Sequence, residues 1–163
     1  MPKSLTRRSA LAGRLSAPVR MAMWSYGVLV NEAAMRQRLT DAPVAHLATA
    51  SVDARPHVVP CCFVLSASTV FTAVDAKPKT TNRLQRIRNI EANPSVSLLV
   101  DHYDDDWTQL WWVRVDGVAR VLDSGDDYTA ALDQLAEKYP QYRETRPPGP
   151  VIIIEIVHWR AWP

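Results

Sequence analysis

This sequence predicts a mainly β fold of the α+β class. It reads as a six-stranded antiparallel barrel, closed or partly closed, with peripheral helices. Three observations carry that reading. Runs rich in β-branched residues recur along the chain, and most adjoin through short polar turns, which favours antiparallel pairing over crossover connections. Helical periodicity is confined to three segments. The 163 residues are 47% hydrophobic, enough for one domain with a real core.

Taken in order, residues 1–28 show no clear period and read as a flexible basic tail, with the barrel domain at 29–163. Thr6-Arg-Arg-Ser-Ala-Leu-Ala-Gly13 faintly resembles a twin-arginine export signal, but Arg14 and Arg20 interrupt the apolar region such a signal needs. A tail, or a true start nearer Met21 or Met23, is preferred. Asn31 is a candidate cap for a short helix, Glu32 to Leu39, with Pro43 beyond its end. Val44 to Ala50 predicts the first strand, Ser51 to Arg55 a turn, and Pro56 to Leu65 a second strand. Thr69 to Val74 predicts the third.

A helix over Thr80 to Glu91 presents Leu84, Ile87 and Ile90 on one side. Arg83 leans toward that side, while Arg86 and Arg88 point more outward. Asn93-Pro94 stops it. Ser95 to His102 is a near-continuously apolar strand, and Tyr103 to Asp106 an acidic turn. Gln109 to Leu122 is a long strand, broken or bulged at Asp116-Gly117. Ser124 with Asp127 resembles a capping box, opening a helix whose apolar stripe is Ala131, Leu132, Leu135 and Tyr139. Arg146 to Pro150 is a stiff loop, and Val151 to Trp162 the closing strand.

The net charge of +2 conceals an asymmetry. Five of the 19 basic residues (Lys3, Arg7, Arg8, Arg14, Arg20) precede the first acidic one, and the other 14 face 17 acidic residues. A mildly acidic body predicts no nucleic-acid partner. No run is long and apolar enough to span a bilayer, so no membrane role is expected. Cys61 and Cys62 are adjacent and point to opposite strand faces, so no internal disulfide is expected; two cysteines in this length fit a reducing, cytoplasmic setting. Metal-ligand spacing is lacking. With five glycines, the chain holds no G-x-G-x-x-G, no P-loop and no G-x-S-x-G elbow.

The most informative segment is Asp75 to Arg86. Lys77, Lys79, Thr80 and Thr81 stand between a strand and a helix start, an arrangement suited to a phosphate or to a solvated basic turn. An inward-leaning Arg83 calls for an anion, either a ligand or the protein's own carboxylate. Arg55, His57 and Val59 share one strand face. Trp112 and Arg114 share another, where an indole beside a guanidinium suits a flat polar heterocycle or a packed interface.

Three strings, DARPHVVPCCFVL, VFTAVDAKPKTTNRLQRIRNIEANPSVSLLV and WWVRVDGVARVL, resemble the pyridoxamine 5′-phosphate oxidase-like split β-barrel proteins over roughly residues 30 to 163. The strings AVDAKPK, NIEANPSVSLLVDHYDDDW and LWWVRVDG resemble most the actinobacterial branch thought to use the deazaflavin coenzyme F420 (a cofactor name, not a residue). The resemblance implies a homodimer with two flavin-type sites at the subunit interface. It implies that the strand carrying Arg55, His57, Val59 and Pro60 runs along the cofactor. Lys77, Lys79, Thr80 and Arg83 would hold its phosphate, and Trp112 would lie near its ring. The cofactor implied is F420, with FMN as the alternative. The chain departs from the oxidase at Trp112-Val-Arg114, where the oxidase has Gln-Val-Arg. It departs again at Arg160-Ala-Trp-Pro163, where the oxidase has Arg-Leu-x-Pro. Both departures put pyridoxamine phosphate as substrate in question.

The function expected is therefore an oxidoreductase passing hydride between a deazaflavin, or FMN, and a small organic substrate. The alternatives are a flavin-binding protein without turnover, and a haem-binding relative using one of His46, His57, His102 or His158.

Overall fold

The structure, a computed structural model, describes residues 31–75 and 84–163. The chain opens with helix α1 (Glu32–Asp41), followed by strands β1 (Ala45–Ala50), β2 (Pro56–Cys61), β3 (Val64–Ser66) and β4 (Thr69–Ala73). Helix α2 (Gln85–Ala92) precedes β5 (Ser95–His102), and a 3-10 turn (Trp107–Gln109) leads into β6 (Trp111–Leu122). Helices α3 (Asp126–Lys138) and α4 (Pro140–Glu144) then precede β7 (Val151–Trp162). The strands form one antiparallel sheet in the order β2-β1-β5-β6-β7-β4-β3, curled into a half-barrel.

The sheet has seven strands among the described residues, not six, because the predicted strand Pro56 to Leu65 is two. The break falls at Cys62-Phe63, and its cause is a side chain. Phe63 is fully buried; its N–H donates to Tyr139 Oη (2.9 Å), and its carbonyl accepts from the same hydroxyl (2.8 Å). With its backbone satisfied by Tyr139, Phe63 needs no strand neighbour. The chain therefore leaves β1 after Cys61 and joins β4 at Val64. Since β2 and β3 are the two sheet edges, this corner ties one edge to the other and sets the curl.

Burial separates the two faces. On the concave face Leu47, Leu98, Val113, Val115, Ile152 and Ile154 form the main core, with Phe63. The convex face is covered only in part. There Ala131, Leu132 and Leu135 of α3 pack on Val151 and Ile153, so the first half of β7 is buried on both sides. That is why its sequence is a continuous apolar run rather than an alternation. Each leucine so buried contributes about 1.5–3 kcal/mol. Beyond Ile154, β7 regains a mixed pattern, and the convex face of β1, β5 and β6 has no helix over it among the described residues.

Local expectations meet mixed outcomes. Asn31 caps α1 by accepting from Ala34 N–H (2.8 Å), as its position predicts. The register of β6 and β7 shifts between Asp116 and Gly117, where the bulge is expected. Ser124 is not the cap of α3. Gly125 takes that place with φ 101, a conformation open to glycine, and Asp126 and Asp127 supply the acidic first turn. The helix stops at Lys138; Tyr139 turns into the core corner and Pro140 starts a separate short helix. Within the described residues α2 begins at Gln85, preceded by an extended Leu84 (φ −67, ψ 147); the expected start at Thr80 lies outside them.

Candidate functional site

A pocket of about 330 Å³ forms where the β1–β2 turn meets α2, lined by Asp53, Arg55, His57, Gln85 and Asn89 among others. The turn is fixed by its own backbone: Ser51 N–H donates to Arg55 O (3.0 Å), Arg55 N–H donates to Ser51 Oγ (3.1 Å), and Ala54 adopts φ 58. Arg55 is thereby held at the pocket mouth, exposed. His57, two residues on, is opposite Thr49 in the β1–β2 register and turns inward. Asn89 is buried at the back. Its Nδ2 donates to Thr49 Oγ1 (2.9 Å), and its Oδ1 accepts from Gln85 Nε2 (2.6 Å). His57 Nδ1 is buried with no hydrogen-bond partner among the described residues. A buried ring nitrogen without a partner, beside an exposed guanidinium, is an arrangement that a polar ligand would satisfy.

A second group of ionisable side chains adjoins α2. The Arg86 guanidinium is half-buried, so burial pulls its pKa below the usual arginine range, while Cys61, Asp75 and Tyr142 work against that shift. This corrects the outward placement expected for Arg86: it precedes buried Ile87 and lies on the flank of the apolar stripe. Burial pushes the Cys61 thiol up to about 11, despite its hydrogen bond with Thr72 and the nearby Arg86. A thiol so raised is a poor nucleophile at neutral pH. Cys61 packs on the main core and Cys62 on the α3 cluster; both are free.

The convex face carries a groove of about 540 Å³, lined by Ala48, Ala50, Ser95, Ser97, Asp116 and His158 among others. Beyond its Asp116–His158 end stand two further cross-strand pairs, Arg114 opposite Arg160 and Trp112 opposite Trp162. Arg114 and Asp116 form an ion pair (Nε to Oδ1, 3.0 Å), and Ser97 Oγ donates to Asp116 Oδ1 (2.6 Å). Trp111 faces the opposite way, into the core, under the Arg38 guanidinium (4.9 Å to the ring centroid).

The predicted site residues thus fall into three groups. Arg55 and His57 come together with α2, and Val59, opposite Leu47, shares their face. Pro60 alternates to the convex face, opposite His46, and Trp112 is on that face too. One protomer does not bring Pro60 and Trp112 to the His57 pocket. Lys77, Lys79, Thr80 and Arg83 lie outside the described residues, as does the tail at 1–28. Sequence reading missed Gln85 and Asn89. The signal available was their spacing of four on a helix, with a polar Asn89 between two isoleucines, Ile87 and Ile90. Among the described residues no cluster of three His, Cys, Asp or Glu side chains forms a metal site, and no helix is long and apolar enough to cross a membrane.

The curled antiparallel half-barrel defines a class, the split-barrel fold of flavin-binding proteins. Residues 32–163 match the family model of pyridoxamine 5′-phosphate oxidase, and the chain belongs to that family. The fold is shared with the conserved hypothetical protein Rv2991 of Mycobacterium tuberculosis (TM-score 0.67, 20% identity, covering 82% of this chain and 85% of that one). It is shared with an FAD-binding protein of Mesorhizobium loti (TM-score 0.64, 21% identity, 81% and 94%). It is shared also with HutZ, the haem storage protein of Vibrio cholerae (TM-score 0.61, 17% identity, 78% and 88%). No curated protein sequence matches the chain at a significant level.

Proposed function

We propose that this protein is an oxidoreductase that binds the deazaflavin coenzyme F420, with FMN as the alternative, and reduces a small organic molecule. The carrying observation is the convergence of Arg55 and His57 with the start of α2, directly after the segment bearing Lys77, Lys79, Thr80 and Arg83. His57 Nδ1, without a partner among the described residues, fits a bound polar group. In this reading Lys77, Lys79, Thr80 and Arg83 hold the cofactor phosphate, with Arg55 at the pocket mouth as a further cation. When bound, the cofactor supplies the hydride chemistry. The chain's own residues bind and orient: Asn89 fixes α2 against Thr49, Gln85 holds the Asn89 amide in place, and His57 holds or passes a proton at its ring nitrogen. Trp112 faces the ring across the interface of a homodimer, which is how the convex and concave residues come to one site.

Titration of the full chain with FMN and with F420, followed by visible absorbance, tests this. Binding of one of them, weakened at least about tenfold by Lys77→Ala or Lys79→Ala, is expected, since a charge-assisted phosphate contact is worth about 1.5–3 kcal/mol. Cofactor binding that survives both substitutions unchanged would sink the phosphate assignment. A second reading, haem binding without turnover, is favoured by the likeness to HutZ, described as a haem storage protein. A Soret band on adding haemin, lost in a histidine variant, with no flavin bound, would move the protein to that class.

A further inference from the structure

We propose that Thr49 and Asn89 are positioning residues for His57: their buried hydrogen bond sets the orientation of its ring in the pocket and ties it to the start of α2. Among the described residues three polar side chains are buried, Thr49 (4% exposed), Thr72 (2%) and Asn89 (1%). Thr72 bonds the Cys61 thiol. The other two bond each other, Asn89 Nδ2 donating to Thr49 Oγ1 (2.9 Å), directly behind the pocket. Their surroundings are apolar: Thr49 follows Ala45 and Leu47 on the inner face of β1, and Asn89 stands between Ile87 and Ile90 on α2. A matched apolar pair in their place would be about as stable, since a buried hydrogen bond replaces bonds to water and gains little net. Stability therefore does not account for the pair. What a hydrogen bond adds over an apolar contact is direction.

That direction bears on His57. Thr49 is its partner in the β1–β2 register, and directly opposed residues have Cβ atoms about 5 Å apart. A β-branched side chain is stiff about χ1, and Asn89 draws Oγ1 toward α2, which fixes the shape Thr49 presents to the imidazole. The Thr49 hydroxyl in turn directs its own proton at the His57 carbonyl, a long contact of 3.5 Å. His57 Nδ1 has no partner among the described residues, so no bond at that nitrogen sets the ring, and the packing of its neighbours does. On the other side Asn89 Oδ1 accepts from Gln85 Nε2 (2.6 Å), and Gln85 Oε1 accepts from Arg88. A continuous polar line thus runs from Gln85, the first residue of α2, through the core to β2. The pair's value for cofactor binding rests on the oxidoreductase reading, which puts the cofactor phosphate just before α2; its hold on the His57 ring does not.

The full chain carrying Thr49→Val together with Asn89→Leu tests this, because the two replacements keep the shape and remove the polar pair. Its thermal midpoint should stay near the wild-type value. In the cofactor-free protein, the proton NMR signal of His57 Hε1, assigned by its loss in His57→Gln, should be single in wild type and broadened or split in the double variant. FMN or F420, whichever binds wild type, should bind the double variant at least about tenfold more weakly. The same two changes made in His57→Gln should cost much less affinity, the mark of residues that act through His57. Thr49→Ser, which keeps the hydroxyl, should match wild type in both readouts; Thr49→Val alone serves if the double variant does not fold. A ring signal that changes while neither cofactor binds wild type upholds the pair and fails the oxidoreductase reading. An unchanged ring signal, or a cofactor affinity that is unchanged or is lost equally with and without His57, overturns the proposal and leaves that reading intact.

Discussion

Tyr139 is the residue on which the sheet corner turns. Its hydroxyl accepts from Phe63 N–H and can donate to the carbonyls of Phe63 or Pro43 (2.8 and 3.0 Å). Lys138, next to it, places its ammonium over the Phe63 ring at 4.1 Å. Tyr139→Phe leaves the buried Phe63 N–H without an acceptor and should cost about 1–3 kcal/mol in chemical denaturation, the price of an unmet buried group. The same hydroxyl sets a pH dependence. Burial pushes Tyr139 from 10.0 up to about 12 and Cys61 from 9.0 up to about 11. Both hold their protons more tightly when folded, so their contribution is complete below the unfolded values and is lost as pH rises. Denaturation midpoints should therefore fall from pH 9 for Cys61 and from pH 10 for Tyr139. A flat midpoint across that range would contradict both assignments, and Tyr139→Phe should reduce the slope above pH 10.

Among the elements, β6 and β7 carry the heart of the sheet, and their bulge depends on Gly117. A Cβ there would stand 2.4 Å from Glu155 O and 2.9 Å from Ile154 Cγ2, both hard against backbone or core. Gly117→Ala should destabilise by about 1–3 kcal/mol through overpacking and lower the thermal midpoint. Beyond the bulge, β7 turns His158, Arg160 and Trp162 outward, so the convex-face pairs they make with β6 depend on it. Helix α2 is fastened differently, by the buried Asn89 to Thr49 hydrogen bond. Asn89→Leu removes it, and also the acceptor for Gln85. If the His57 pocket holds the cofactor, this variant should weaken cofactor binding in the absorbance titration while leaving the sheet's far-ultraviolet dichroism in place.

At the scale of the whole molecule, the proposed site residues lie on two faces of one half-barrel, the His57 pocket on one and Trp112 on the other. A single protomer does not join them, and a second copy is what the proposed function requires. Light scattering of the purified chain should give about twice its 18.3 kDa mass, with one cofactor bound per chain. A monomer that binds cofactor with full affinity would contradict the shared site.

Much of this was legible in the residues. Apolar runs and turn residues located β1, β4, β5 and β7, Asn31 the cap of α1, and Asp116-Gly117 the bulge, because each is a local preference of the backbone. The strings around Lys77 and Trp112 carried the resemblance to the family, which the match over residues 32–163 bears out. What local preference could not reveal was the break at Phe63. That depends on Tyr139, 76 residues further along the chain, and satisfying a backbone N–H from so far away is a tertiary event. The inward turn of Arg86, the closure of Asn89 on Thr49 and the facing of Arg114 by Arg160 are of the same kind. Each pairs residues far apart in the chain, and only the register of the folded sheet and the packing of α2 on it decide which side chains meet.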